Sequence, residues 1–112
     1  MNKAMQLLAE ENFEVVSNII REHGNFSKSV NFQFIVELDN KDECIAFRSK
    51  VRSLDVYSND DVFIYAKKAT GYDLLIYRIM KLSVDNITEF EWALLQIANE
   101  FGGAEVSWLF EG

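Results

Sequence analysis

VNFQFIVEL, residues 30–38, alternates without a break; DNKDECIAFRSKVRSL, residues 39–54, does not. In the first stretch Val30, Phe32, Phe34, Val36 and Leu38 point one way. Asn31, Gln33, Ile35 and Glu37 point the other, as in a half-buried strand. In the second stretch Cys44, Phe47, Val51 and Leu54 recur in steps of three and four, the inner stripe of a helix. Asp39 or Asn40 caps that helix, and Glu43, three residues after Asn40, suits a capping box. The switch of period marks a strand followed by a helix.

The same reading extends outward. Asp55 to Tyr57 begins another extended stretch, Ser58 to Asp61 is a bulge or turn, and Val62 to Lys67 continues extended. Thr70-Gly71 turns the chain into a long strand, Tyr72 to Leu82, with apolar residues on both faces. Ser83 to Asn86 supply caps for a helix ending near Phe101, with Ile87, Phe90, Leu94, Ile97, Ala98 and Phe101 as its stripe. Gly102 or Gly103 provides a left-handed C-cap, and Ala104 to Phe110 is the last strand. Upstream, residues 2–23 form a helix with Leu8, Val15 or Val16, Ile19 and Ile20 at helical spacing and Gly24 as its C-cap.

The expected order is a helix followed by β-α-β-β-α-β. Two helices on one face of a four-stranded antiparallel sheet make a ferredoxin-like α+β sandwich, here preceded by an extra N-terminal helix. Right-handed crossovers put the first and third strands at the centre. One domain is expected over residues 1–112, with the N-terminal helix in 1–24 and the βαββαβ core in 30–110.

The chain is 49% hydrophobic and carries a formal net charge of −7. That charge repels nucleic acid, so no direct nucleic-acid partner is expected, and it suits solubility or a basic protein partner. No apolar run approaches the roughly 20 residues of a membrane span. The first residues are interrupted by Glu10, Glu11 and Glu14 and do not read as a signal peptide, so a cytoplasmic protein is expected. Cys44 is the only cysteine, which excludes an internal disulfide.

Little points to catalysis. His23 sits at a helix C-terminus, where a cation meets the negative end of the dipole. Cys44 lies on an inner stripe as a small hydrophobe. Asp60-Asp61 reads as turn chemistry, and Glu10, Glu11 and Glu14 as a solvated face. No metal-ligand spacing or phosphate-binding loop is present, so neither an enzyme nor a cofactor is expected.

Surface residues are the remaining candidates. Trp92 falls nearly opposite the inner stripe of its helix; it either packs under the N-terminal helix or, with Glu89, is exposed as an anchor for a protein partner. The second surface is the side of the sheet without helices, where Ile35, Leu75, Tyr77, Ile79 and Leu109 are expected, joined by Phe63 or Tyr65 according to register. The N-terminal helix, a second copy of the chain or another protein would cover it. RNA-recognition sheets also stack bases on aromatic residues, but VFIYAKK offers only Lys67 and Lys68 as basic neighbours. In the last strand Ala104, Val106, Trp108 and Phe110 share the apolar face. Trp108 is therefore expected in the core, with its indole N–H reaching a partner near the sheet edge.

NITEFEWALLQIANEFGGAEVSWLFE and, upstream, REHGNFSKSVNFQFIVELDNKDECIAF resemble the family of the regulator of ribonuclease E activity B (RraB). The likeness lies in an amphipathic helix, a Gly-containing turn and a short Trp-bearing strand, where Gly102, Gly103 and Trp108 match as structural positions. Glu105-Val106-Ser107-Trp108 stands where the family commonly has Tyr-Asp-Gly-Trp, and Asn31 where a His is common. The resemblance implies a ferredoxin-like fold and a non-enzymatic inhibitor that binds a ribonuclease E-like nuclease or a basic segment of its scaffold. The residues leave other classes open: a ligand-binding regulatory domain, a homodimer through the open sheet face, or an immunity-type protein that neutralises a toxin.

Overall fold

The computed structural model describes residues 2–112. Its sheet is built around β1 (Val30–Leu38) and β3 (Gly71–Met80), which pair antiparallel along their whole lengths, Val30 opposite Met80 and Leu38 opposite Tyr72. β2 (Val62–Lys68) adds to the outer side of β3, and β4 (Val106–Phe110) to the outer side of β1. The order is β2-β3-β1-β4. The first and third strands are central, as right-handed crossovers require.

Each helix begins where a side chain satisfies a free backbone N–H. Asn2 caps α1 (Lys3–His23), its Oδ1 accepting from Met5 N at 2.8 Å. Asn40 caps α2 (Lys41–Arg52) by accepting from Glu43 N, and the Glu43 carboxylate accepts in return from Asp39 N at 3.0 Å. Ser83 caps α3 (Val84–Ala98) by accepting from Asn86 N. A single 3₁₀ turn, Asn99–Phe101, extends α3. The chain then leaves through Gly102 and Gly103, at φ 74° and 76°. Two consecutive left-handed residues cost any side chain with a Cβ about 1–2 kcal/mol each, which explains the glycine pair.

α2 and α3 pack their apolar stripes on one side of the sheet. Phe32, Phe34, Val36, Leu74 and Ile76 meet Cys44, Phe47, Val51, Ile87, Phe90 and Leu94 in a sealed core. Phe34 and Phe90 stand edge to face with centroids 4.8 Å apart, the preferred aromatic geometry. α1 joins the same layer: it packs on α3, while His23 and the loop residue Phe26 meet Phe110. The helix layer therefore has three members, and α1 does not cover the opposite side of the sheet.

Besides shifts of a single residue at other ends, three stretches differ from the sequence expectation. Asp55–Tyr57 is a turn rather than extended, closed by Leu54 N to Val51 O and Tyr57 N to Leu54 O, both 3.1 Å. β3 ends at Met80, before Leu82. β4 begins at Val106 because Ala104 N bonds back to Ala98 O at the end of α3.

Candidate functional site

The side of the sheet away from the helices is bare and largely apolar. Read across from β2 to β4, one row is Val62, Tyr77, Gln33 and Leu109; the next is Ile64, Leu75, Ile35 and Ser107. Ile79, opposite Asn31, extends the face at one end. Val62, Ile64, Ile79 and Leu109 remain 54%, 46%, 61% and 42% exposed. Scattered exposed hydrophobics are ordinary, but contiguous apolar patches beyond roughly a few hundred Å² mark interaction sites.

The other end of this face is charged. Asp73 pairs with Glu37 across the strands, and Glu37 N donates to the carbonyl of neighbouring Glu105. Lys68 bridges Glu37 at 2.8 Å and Asp73 at 3.2 Å. Its ammonium holds the Glu37 carboxyl below its ordinary range, and the contacts raise Lys68 in turn. Charge is also divided along the chain: residues 84–112 hold six acidic side chains and no Lys, Arg or His.

The structure brings Ile35, Tyr77 and Leu109 together on the bare face. It corrects Tyr65. Ile64 faces Leu75 in the ladder, so Phe63 and Tyr65 point to the helix side. There Arg48 Nη1 donates to the Tyr65 hydroxyl at 3.0 Å, and the Arg48 guanidinium lies 5.3 Å from the Phe63 ring centre. Val62 and Ile64 take the bare-face positions instead. Glu89 is exposed on α3, and Trp92, one turn on, is half-buried and outside the core cluster. Trp92 thus belongs to the helix layer, across the sheet from Ile35 and Tyr77.

Trp108 is half-buried on the helix side, edge-on to Phe32 with centroids 5.8 Å apart. Its Nε1 donates to Asn12 Oδ1 at 3.0 Å. Asn12 Nδ2 donates onward to Thr88 Oγ1 at 3.1 Å and Glu91 Oε1 at 3.0 Å. One carboxamide therefore ties α1, α3 and β4 together. Burial lifts the Glu91 carboxyl above its ordinary range; Asn12 opposes this and Glu11 adds to it.

A second polar cluster replaces the turn reading of Asp61. Its backbone does close a turn, with its N–H bonded to Ser58 O at 3.0 Å. Its carboxylate, however, is only 1% exposed and accepts from Arg78 Nη1 at 2.9 Å. Arg78 Nη2 donates to the Val56 carbonyl, and the guanidinium lies 4.1 Å from the Phe90 ring centre. Burial raises the Asp61 carboxyl, while the charge of Arg78 opposes that shift. The expected partner of the Trp108 indole N–H is thus Asn12. The identity of that partner and the Asp61–Arg78 cluster are not anticipated, although each leaves a trace in the pattern: Asn12 interrupts the α1 stripe between Leu8 and Val16, and Arg78 occupies an inward position between Ile76 and Met80.

Among the described residues, no group of three or more His, Cys, Asp or Glu side chains is placed to hold a metal. Burial raises the Cys44 thiol above its ordinary range, which leaves it protonated and unreactive. His23 is exposed and stands by Phe110. No helix among these residues is long and apolar enough to cross a membrane.

No curated protein and no solved structure shows a significant match to the chain. A family model described as regulator of ribonuclease activity B, RraB, matches residues 2–108, from the α1 cap to Trp108. With nearly its whole length so matched, the chain belongs to the RraB family.

Proposed function

We propose that this chain is an acidic, non-enzymatic regulator that acts in the cytoplasm by stoichiometric binding to a protein. The proposed partner is a ribonuclease E-like nuclease or a basic segment of its scaffold. The observation that carries this reading is the bare sheet face, whose exposed apolar rows end in three carboxylates, Asp73, Glu37 and Glu105, against the single ammonium of Lys68. An apolar surface gives residence, and surrounding acid steers a basic partner. Ile35, Tyr77, Leu109, Val62 and Ile64 are assigned as the contact residues. Family membership supports a nuclease as the partner.

A stoichiometric regulator has a simple signature. Added stepwise to a fixed amount of nuclease, it lowers the cleavage rate until the two are equivalent, and then no further. Leu109→Lys, on an edge strand where Lys is well tolerated, is expected to lose this effect while keeping its fold. Unchanged cleavage with excess wild-type chain would reject the reading.

A second surface is favoured by Trp92, which is half-buried outside the core cluster and one turn from exposed Glu89. If α3 supplied the contact, Trp92→Ala would abolish binding and Leu109→Lys would not. A homodimer through the bare face is tested by solution mass: a dimer dispersed by Leu109→Lys would assign that face to a second copy.

A further inference from the structure

Ile79 belongs to two surfaces at once. It is the most exposed apolar residue of the bare face, and it also lines a cavity of about 480 Å³ at the end of the sheet. Met80 and Phe90 add apolar wall, Arg78 lies at one side, and Asp55 and Glu89 bring carboxylates. The apolar rows therefore continue past Ile79 into a concave, acid-bearing space.

The charge balance of this space is negative despite Arg78. The guanidinium of Arg78 is held by Asp61, the Val56 carbonyl and the Phe90 ring, and the buried Asp61 carboxylate cancels its charge. Asp55 and Glu89 are exposed, and neither takes part in an ion pair among the described residues. A wall in which Ile79, Met80 and Phe90 stand beside polar Ser58 and Asn86, with two exposed carboxylates, matches a cation carried on an apolar stem. Lys and Arg side chains have that form, a charged head on three or four methylenes.

We infer that this cavity is an anchor pocket for one Arg or Lys side chain of the partner, with the adjoining apolar residues of the same segment lying on Ile79, Tyr77 and Val62. The inference rests on the reading of the bare face as the partner surface and adds the specificity element to it. Arg78 acts as a positioning residue, tying the Asp61 turn and the Val56 carbonyl to β3 so that the wall keeps its shape.

Two experiments test it separately from the parent reading. In the first, amide NMR spectra are recorded during titration with N-acetyl-arginine amide and with its neutral isostere, N-acetyl-citrulline amide. The arginine compound is expected to shift the amides of Ile79, Glu89 and Phe90, and to lose this effect in the Asp55→Asn, Glu89→Gln double variant. Equal shifts from the two compounds, or none from either, would overturn the pocket. In the second, nuclease affinity of the double variant is expected to fall about fivefold, mostly through slower association at low salt. Unchanged affinity in the double variant, with binding lost in Ile64→Lys, would remove the pocket and keep the sheet face. If wild-type chain fails to bind the nuclease, the parent reading falls, and the arginine titration alone decides the pocket.

Discussion

The two faces of the sheet are made by the same strands and do different work. On β1, Phe32, Phe34 and Val36 are completely buried under the helices, while Ile35, one residue from each of its neighbours, lies on a side that no helix among the described residues covers. Three helices occupy one face, yet α1, the element free to cross over, adds to the layer already there. The apolar content of the bare face therefore contributes little to folding. Its neighbours in the ladder already partly shield Leu75 and Tyr77, and its edge positions stay wet. The covered face carries stability, and the bare face is available for binding.

Substitutions can break this division, starting with the largest expected effect. Phe34→Ala on the covered face is expected to lower unfolding free energy by about 3–5 kcal/mol, read from denaturant melts. A loss below about 1 kcal/mol would mean that the core is not where stability resides. Asn12→Ala comes next. It leaves Trp108, Thr88 and Glu91 without their shared partner, which is expected to cost about 2–3 kcal/mol. Trp108→Phe in the same background should then cost less than it does alone, since the indole N–H has already lost its acceptor. Strict additivity would show that the hydrogen bond does not couple α1 to β4.

On the bare face, Ile64→Lys is expected to change stability by only about 0.5 kcal/mol, because it sits half-exposed on an edge strand. A loss comparable to that of Phe34→Ala would erase the contrast between the faces.

The smallest effect concerns pH. Burial lifts Glu91 above the 4.5 of a free glutamate, so the folded state holds this proton more tightly than the unfolded chain does. The stabilisation from that proton is complete below the unfolded value and is lost as pH rises through the raised one. Glu91→Gln keeps an acceptor for Asn12 and removes the titration. Its Tm relative to wild type should therefore climb as pH is raised from 4.5 toward neutrality. A constant difference across that range would show that Glu91 titrates normally.

The sequence disclosed the sheet because its two central strands are unambiguous where they matter. β1 alternates cleanly, and the caps Asn40 and Ser83 and the Gly102-Gly103 pair punctuate the helices as local chemistry dictates. β2 was harder: Val62, Phe63, Ile64 and Tyr65 are apolar on both faces, so alternation cannot say which pair is outside. Pairing with β3 decides it, and the rings go where Arg48 can meet them. The polar clusters lay beyond reach for another reason. Asn12 and Thr88 are 76 residues apart, and Asp61 and Arg78 are joined only when β2 folds back along β3. The position of α1 is likewise tertiary, since an amphipathic helix records that it must be covered but not by what.

The most direct test of the account is the equilibrium affinity of a purified ribonuclease E-like nuclease for wild-type chain, Ile64→Lys and Trp92→Ala, with each variant first shown to be folded by its thermal melt. Ile64→Lys is expected to weaken binding about thirtyfold or more, while Trp92→Ala stays within about twofold of wild type. Full affinity in Ile64→Lys with binding lost in Trp92→Ala would move the interaction to α3 and contradict the claim that the bare sheet face holds the partner.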